Sequence, residues 1–308
     1  MASGNSEQSP TLREWLRCGA FDCALNPNFL GVFAQLGCLG ALQREGLLEN
    51  LCGLAGCSAG AMSGAAIASG ARVFEKSSET LKLHTDMENL VTLGDRRWQV
   101  LDPGFGLGVF KGLGIETEMS KLYAPTFEQL QTPFACTVTS LPSMQTVVLD
   151  HGALPAAVRA SMTVPLLFHP ARHEGKRCLV DGGIFDCSGS KGLSSLPKKA
   201  DRSLHVIVNR KMPFLSHFER VVPPSKFGAP RSEVLTLRLN NPPNLLFGET
   251  SFQSFGRAMI VTAAAVTQIL DCRLRPGDEK GHFILDADVN WDWESKPCCK
   301  YCARRKSD

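Results

Sequence analysis

Short apolar segments alternate with segments of helical pattern along the first part of the chain. Residues 21–25 and 51–55 are apolar runs of the length of a buried strand. Residues 31–48 carry apolar side chains at helical spacing and include Gly46, a residue typical of helix ends. Residues 61–71 consist mostly of small side chains that also suit a helix. Strands that alternate with helices predict a mostly parallel sheet covered on both faces.

The same alternation continues through the rest of the chain. Further strands are predicted over residues 134–140, 146–149, 178–180 and 204–208, and further helices over 74–89, 116–123, 154–162 and 252–270. The glycine-rich residues 102–114 and the proline-rich residues 213–243 are predicted as loops. The expected division is a flexible segment over residues 1–15, one domain over 16–290, and a basic, cysteine-rich tail over 291–308.

Composition and charge narrow the function classes. The 308 residues are 44% hydrophobic and 20% charged, which is enough for a full core without disulfide support. The net charge of +3 is too small to indicate a nucleic-acid partner. Many of the 12 cysteines lie in apolar segments and no signal-peptide pattern precedes them, so we expect reduced thiols and a cytoplasmic location. The longest uncharged run, residues 53–71, is too weakly apolar to predict a membrane span.

The strongest chemical signal is Gly56-Cys57-Ser58-Ala59-Gly60, between a predicted strand and a predicted helix. The pattern Gly-x-Ser-x-Gly in this context is typical of a nucleophile elbow. The glycines permit a tight turn that exposes the serine hydroxyl, and the helix start supplies N–H groups for an oxyanion. A small-residue turn without chemistry is the alternative interpretation.

Asp181 is the best candidate for the base that a serine nucleophile requires. It ends an apolar strand and is followed by Gly182 and Gly183, which leave room for another side chain to approach. Partial burial at a strand end would raise the pKa of Asp181 and suit it to accept a proton. The alternative interpretation of Asp-Gly-Gly is an ordinary turn.

Several motifs in the same order resemble those of the patatin-like phospholipases, a family of lipid acyl hydrolases with a Ser-Asp dyad. The similar segments, within residues 20–210, are 37–42, 56–61, 126–130, 157–165 and 181–183. The resemblance implies a three-layer α/β/α fold with a mostly parallel central sheet. It also implies Ser58 as the nucleophile, Asp181 as the base, and hydrolysis of a carboxylic ester in a lipid.

The resemblance also defines the expected activity and partners. The implied activity is that of a phospholipase A, a lysophospholipase or an acylglycerol lipase, which needs no metal and no organic cofactor. Peripheral contact of a cytoplasmic protein with a membrane or lipid-droplet surface is expected. A catalytically weak or inactive lipid-binding scaffold of the same fold is the alternative.

The loop expected to hold the oxyanion departs from the family pattern. The family has a glycine-rich loop after its first strand, whereas this chain has Asn-Pro-Asn-Phe-Leu-Gly there. Backbone N–H groups near Leu30, Gly31 and Ala59 are the expected donors, and Asn28 can adopt the left-handed conformation of a glycine. Pro27 has no N–H to give. A fully active enzyme, a slow enzyme and an inactive protein are all compatible with this loop.

Two other patterns give weaker hypotheses. His205, His217 and His282 follow Asp181 and invite a Ser-His-Asp triad, but none lies in a recognisable motif. We expect His205, within an apolar strand, to be a buried core residue. The glycine-rich residues 104–108 are either a nucleotide loop or, preferably, a loop at the mouth of the site.

Three remaining features keep alternatives open. Asp186 either orients the loop that carries the base or, preferably, caps a turn. The phenylalanines of residues 213–243 either contact lipid or pack in the core. Cys298, Cys299 and Cys302 lie beside basic residues and could bind zinc, carry acyl anchors or belong to a disordered tail.

Overall fold

The computed structural model describes residues 9–28, 31–74, 108–197, 200–209, 231–241 and 252–289. Its helices are α1 (Leu12–Arg17), α2 (Val32–Arg44), α3 (Ala59–Ala68), α4 (Leu113–Met119), α5 (Leu154–Ser161) and α6 (Phe252–Gln268). Its strands are β1 (Phe21–Leu25), β2 (Leu51–Cys57), β3 (Gly108–Phe110), β4 (Phe134–Ser140), β5 (Gln145–Leu149), β6 (Leu166–Phe168), β7 (Ala171–His173), β8 (Lys176–Asp181), β9 (Arg202–Asn209), β10 (Glu233–Asn240), β11 (Arg275–Pro276) and β12 (His282–Asp288).

Ten of these strands form one mostly parallel sheet. Their order is β11-β12-β10-β9-β1-β2-β4-β8-β7, with β5 paired to β4. The six strands from β12 to β4 are parallel to one another, whereas β11, β5, β8 and β7 pair antiparallel. The prediction of a mostly parallel central sheet is therefore confirmed. Strands β3 and β6 form a separate two-stranded sheet.

Neighbouring residues of the central strands contribute to two different cores. Leu54 belongs to the large core, which includes α2, α3, α5 and α6, whereas Ala55 belongs to a small core closed by Leu193 and Leu196. Because successive side chains of a strand point to opposite faces, these cores lie on the two sides of the sheet. The short 3-10 helix Lys191–Ser194 lies on the side of the small core. This arrangement agrees with the three-layer α/β/α fold expected from the sequence.

Helix α1 lies inside the segment for which the sequence predicts flexibility. Thr11 and Glu14 form a capping box at its start, in which each side chain accepts a hydrogen bond from the other residue's backbone N–H. Leu12, Trp15 and Leu16 are buried in the large core. The flexible segment of residues 1–15 is therefore wrong for its last five residues, since the core begins at the capping box.

Other element boundaries differ from the sequence-based expectation for local reasons. Helix α2 ends at Arg44 rather than at residue 48, and Gly46 just beyond it has a φ of +66°. Part of the predicted loop 102–114 forms strand β3 and the first turn of α4. Strand β10 lies within the segment 213–243, which the sequence predicts as a loop. The predicted helix over residues 74–89 lies outside the described residues, apart from its first residue.

Candidate active site

Ser58 occupies a sharp turn between β2 and α3, as the strand-turn-helix pattern predicts. Its backbone has a φ of 52° and a ψ of −117°, a conformation that residues other than glycine rarely adopt. Such a residue costs on the order of 1–3 kcal/mol and occurs mainly where function requires it. Cys57 and Ala59 are buried on either side, whereas Ser58 remains partly exposed. The turn therefore presents a hydroxyl at the end of a buried strand.

Gly56 and Gly60 permit this turn because other backbone atoms occupy the space that side chains would need. A Cβ at Gly56 would overlap the carbonyl oxygen of Gly60, and a Cβ at Gly60 would overlap the carbonyl oxygen of Leu25. The start of α3 thus packs directly against the end of β1. Both glycines of the motif have a structural reason that is independent of catalysis.

Ser161 fixes the backbone of the turn from the neighbouring helix α5. Its hydroxyl accepts a hydrogen bond from the Ser58 N–H at 2.9 Å and donates one to the carbonyl oxygen of Thr137 at 2.8 Å. Ser161 is fully buried, so these bonds are protected from water. Sequence reasoning missed this residue, although it lies in the segment 157–165 that resembles the family. Its contacts are between distant parts of the chain and have no local signal.

Strand β4 brings the two predicted catalytic residues to the same place. Cys57, at the end of β2, pairs with Thr137, and Asp181, at the end of β8, pairs with the next residue, Val138. The residue after Cys57 is Ser58, so the candidate nucleophile and the candidate base are positioned from adjacent positions of one strand. The Asp181 N–H is held by the carbonyl oxygen of Thr163 at 2.8 Å.

Asp181 is a buried carboxylate with few groups to stabilise its charge. Its exposed fraction is 8%, and burial raises its pKa to about 6. Hydrogen bonding from the Ser58 side chain, the Gly183 N–H at 2.8 Å and the Cys57 thiol at 3.9 Å favours the ionised form and opposes this shift. The carboxylate is therefore partly protonated near pH 6 and ionised at neutral pH.

Gly182 and Gly183 form the start of the short 3-10 helix Gly182–Ile184. A Cβ at Gly182 would overlap the carbonyl oxygen of Thr137 and approach the Cys57 sulfur at 2.9 Å. The glycine after Asp181 therefore lets β8 pack against both β4 and the strand that carries Ser58. Gly183 contributes its N–H to the carboxylate, as described above.

Two backbone N–H groups at the start of α3 lie beside Ser58. The first backbone hydrogen bonds of this helix run from the N–H groups of Ala61 and Met62 to the carbonyl oxygen of Ser58. The N–H groups of Ala59 and Gly60 precede them and have the position that can receive an anion. Ala59 was among the expected oxyanion residues, whereas Gly60 was expected only as a motif glycine.

The loop after β1 offers a different arrangement. The Gly31 N–H donates to the carbonyl oxygen of Asn28 at 3.1 Å, so this expected oxyanion donor is already engaged. The Asn28 side chain is buried and donates through Nδ2 to the carbonyl oxygen of Val208 at 2.9 Å. It therefore fixes the loop to β9. Leu30, the third residue expected here, lies outside the described residues.

Two of the three histidines considered for a triad, His205 and His282, are described, and both are buried and hydrogen-bonded elsewhere. His205 Nε2 bonds to the carbonyl oxygen of Ser188 at 3.0 Å, and burial lowers its pKa to about 3. His282 Nε2 bonds to the Thr236 hydroxyl at 3.1 Å, and burial also lowers its pKa. The expectation that His205 is a buried core residue is confirmed. His217 lies outside the described residues.

Asp186 does more than cap a turn. It is buried and accepts hydrogen bonds from the hydroxyls of Thr137 and Ser188, at 2.9 and 3.0 Å, and from the Lys191 N–H at 3.3 Å. Burial raises its pKa. The preferred interpretation as a simple turn cap is therefore wrong, because Asp186 ties β4 to the segment that follows Asp181.

Several features predicted from the sequence fall on residues that the structure does not describe. Residues 104–107, residues 213–230 and the three tail cysteines lie outside the described ranges. Within those ranges, no group of three or more His, Cys, Asp and Glu side chains could hold a metal ion. No helix among the described residues is long and apolar enough to cross a bilayer.

Solved structures to which this chain shows similarity include two bacterial proteins. VipD from Legionella pneumophila is 13% identical, with a TM-score of 0.39, over 92% of this chain and 64% of that chain. A chain of the ExoU-SpcU complex from Pseudomonas aeruginosa is 14% identical, with a TM-score of 0.44, over 85% of this chain and 52% of that chain.

Similar sequences include proteins named Uncharacterized NTE family protein from Mycobacterium tuberculosis and Mycobacterium bovis. Each is 30% identical over 156 residues, which is 50% of this chain and 40% of the relative. The chain thus spans less than half the length of these relatives. The sequence model of the family described as Patatin-like phospholipase matches residues 29–187, a range that contains both Ser58 and Asp181. The chain therefore belongs to the patatin-like phospholipase family.

Proposed function

We propose that this chain hydrolyses carboxylic esters of lipids, with Ser58 as the nucleophile and Asp181 as the proton acceptor. The observation that carries the proposal is the position of the strained Ser58 turn beside a buried carboxylate whose pKa is raised to about 6. Family membership supports the lipid class of the substrate. Phospholipids and acylglycerols both contain the required ester.

The first half of the reaction transfers the acyl group to the protein. Asp181 takes the hydroxyl proton of Ser58 while the serine oxygen attacks the ester carbonyl carbon. The oxyanion that forms can accept hydrogen bonds from the N–H groups of Ala59 and Gly60. Collapse of this intermediate breaks the ester bond, and Asp181 returns its proton to the departing alcohol. The product of this half is an acyl ester on Ser58.

The second half repeats the same chemistry with water. Asp181 removes a proton from a water molecule, which attacks the acyl carbon through a second oxyanion. Breakage of the bond to Ser58 releases the fatty acid, and the proton held by Asp181 returns to the serine oxygen. A base with a pKa of about 6 suits both directions of proton transfer near neutral pH.

A weakly active or inactive lipid-binding protein is the second candidate, and one observation favours it. The Gly31 N–H is engaged with Asn28, and Pro27 has no N–H, so the first loop contributes less than the glycine-rich loop of the family. Loss of one oxyanion donor reduces the rate by about 100- to 1000-fold. The two candidates therefore differ in turnover rather than in fold.

Covalent labelling by a fluorophosphonate probe tests the proposal directly. We expect the wild-type protein to be labelled and the Ser58→Ala variant to be unlabelled, because the probe reacts only with an activated hydroxyl. A Ser63→Ala variant provides the control, since Ser63 is a buried serine of α3 that bonds to Gln35 at 2.9 Å. Equal labelling of wild type and Ser58→Ala would exclude Ser58 as the nucleophile.

Turnover separates the two candidates. We expect the wild-type protein to release fatty acid from phospholipid or acylglycerol vesicles repeatedly, with no release by Ser58→Ala. Labelling without repeated turnover would support the weakly active lipid-binding protein. Absence of both labelling and turnover in a folded protein would contradict the hydrolase.

A further inference from the structure

Exposed apolar side chains concentrate on one part of the molecule. Eight large apolar side chains are at least 36% exposed in the described part of the chain. Two of them, Met144 and Ile260, lie in the β4–β5 turn and on α6. The other six lie on β3, β6, the start of α4 and the segment after Asp181: Val109, Leu113, Leu166, Leu167, Ile184 and Phe185. We refer to these six residues as the apolar rim.

The apolar rim adjoins the candidate active site through short pieces of chain. The Asp181 N–H bonds to the Thr163 carbonyl oxygen at 2.8 Å. Leu166 lies three residues after Thr163, and Ile184 lies three residues after Asp181. Three residues span at most about 10 Å. Pairing of β3 with β6 adds Val109 to the same region. The rim therefore lies close to Asp181 and Thr163.

Leu166 has an unfavourable backbone conformation and an exposed side chain. Its φ is +69°, a value that a leucine rarely adopts, and its exposed fraction is 81%. The left-handed conformation costs such a residue about 1–2 kcal/mol, and burial of the side chain returns little of this cost. Strained residues that persist in this way cluster at functional positions. Among the described residues, Leu166 is the most exposed large apolar side chain, and its backbone is strained.

Two exposed lysines lie beside the rim. Lys111 follows β3 and is exposed, and Lys191 is exposed with its ammonium bonded to the carbonyl oxygen of Phe185 at 2.6 Å. The nearby carboxylate of Glu116 is already paired with Arg159 at 2.8 Å. Aliphatic side chains bordered by exposed lysines match the boundary between acyl chains and anionic head groups.

We propose that the apolar rim docks the protein onto a lipid surface that carries anionic head groups. The six side chains insert among the acyl chains, while Lys111 and Lys191 lie at the head-group level. The occupant is a lipid surface because the rim is largely aliphatic, whereas the centres of protein interfaces are enriched in tyrosine, tryptophan and arginine. The role of docking in delivering the ester to Ser58 rests on the proposed function. The docking itself does not require catalysis.

Vesicle co-sedimentation tests the docking in the Ser58→Ala background, where hydrolysis cannot consume the lipid. The test variant adds Leu113→Gln and Leu166→Asn, because glutamine suits a helix and asparagine tolerates a positive φ. We expect its partitioning onto phosphatidylcholine vesicles with phosphatidylglycerol to fall at least about tenfold. Ile260→Gln is the matched control, since Ile260 is 56% exposed on α6, and it should bind as its parent does. Equal binding by the test variant would overturn the proposal.

Further measurements separate docking from catalysis and from self-association. With Ser58 intact, we expect the ratio of vesicle hydrolysis to short-chain p-nitrophenyl ester hydrolysis to fall about tenfold in the test variant. Vesicle binding without any ester hydrolysis would support the docking proposal and contradict the proposed function. Ester hydrolysis without vesicle binding would support the proposed function and contradict the docking proposal. Self-association of the parent that the test variant loses, without vesicle binding, would assign the rim to a second copy of the chain.

Discussion

The turn around Ser58 and the loop after β1 lie at the same end of the sheet. They differ in how well their backbone groups are arranged for the proposed reaction. The Ser58 turn is fixed by two glycine contacts and by the Ser161 hydroxyl, and its helix start leaves N–H groups available. In the loop, the Gly31 N–H bonds within the loop itself. The groups for attack on an ester are thus arranged more completely than the groups for stabilising the charge that results.

Under the proposed function, oxyanion stabilisation is the less complete part of the site. Asp181, the candidate base, is positioned by strand pairing, and burial raises its pKa, and neither feature depends on the loop. Changes at the dyad should therefore have large effects on the rate. Changes in the loop should have smaller effects. The following predictions test this order.

Asp181→Asn should have the largest effect on rate. We expect kcat/KM for a short-chain ester to fall roughly 10³- to 10⁴-fold, because the amide cannot accept the serine proton. Asp186→Asn is the matched control, since Asp186 is equally buried but bonds to Thr137 and Ser188. A similar loss in both variants would indicate a general disturbance rather than removal of the base.

The same variant should be more stable than wild type at neutral pH. Burial raises the pKa of Asp181 to about 6, so the folded state loses stability as the pH rises from about 4 through about 6. Removal of the charge should return up to about 3 kcal/mol at pH 8, measured by urea unfolding. The difference should disappear at pH 3, where the carboxyl is protonated in both states. A pH-independent difference would contradict this explanation.

Alanine substitutions at two glycines compare the two regions directly. Gly60→Ala drives its new Cβ into the Leu25 carbonyl oxygen, so we expect a loss of roughly 3 kcal/mol and of probe labelling. Gly31→Ala places its new Cβ 2.9 Å from the Cβ of Asn28, a milder overlap that a small shift of the loop backbone can relieve. It should cost about 1 kcal/mol and slow labelling less than about tenfold. Equal effects would show that the loop is as constrained as the turn.

Ser161→Ala should slow labelling about 10- to 100-fold and cost roughly 1–3 kcal/mol, because it removes the hydroxyl that accepts from the Ser58 N–H and donates to the Thr137 carbonyl oxygen. Ser63→Ala should reduce stability without a comparable effect on labelling, since its hydroxyl bonds to Gln35 rather than to Ser58. Quenched time courses of probe labelling measure the labelling rate, and urea unfolding measures the free energy of unfolding. Equal slowing in the two variants would remove the positioning role of Ser161.

The smallest expected effect is the pH dependence of the wild-type protein. Ionised Asp181 is the active form of the base, so kcat/KM should rise tenfold per pH unit below about pH 6 and level off above it. A plateau that extends unchanged to pH 4 would mean that Asp181 does not act as the base. The Asp181→Asn variant should lose this dependence along with its activity.

The parts of the fold that could be predicted are those with a local signal. The strand before Ser58, the helix after it and the β4–β5 hairpin each follow from the pattern of apolar side chains and turn residues over a few positions. The start of α1 also has a local signal, the capping box of Thr11 and Glu14. Strand β10 has alternating polar and apolar residues, but it lies beside proline-rich segments that favoured a loop.

The parts of the site that could not be predicted depend on contacts between distant segments. The position of Asp181 at the end of an apolar strand predicts its burial and raised pKa, but no pattern near residue 181 specifies that β8 pairs with β4. The contact of Ser161 with the Ser58 N–H joins α5 to the turn, and the engagement of the Gly31 N–H depends on the path of the loop. The sequence motifs identify Ser58 and Asp181 as candidates, whereas packing determines the hydrogen bonds and the charge of these residues.

The pairing of β4 with both β2 and β8 has a consequence for the geometry of the candidate site. Thr137 pairs with Cys57, the residue before Ser58, and Val138 pairs with Asp181. One strand therefore sets the spacing of the two candidate residues, and a one-residue slip of either neighbour along β4 would separate them.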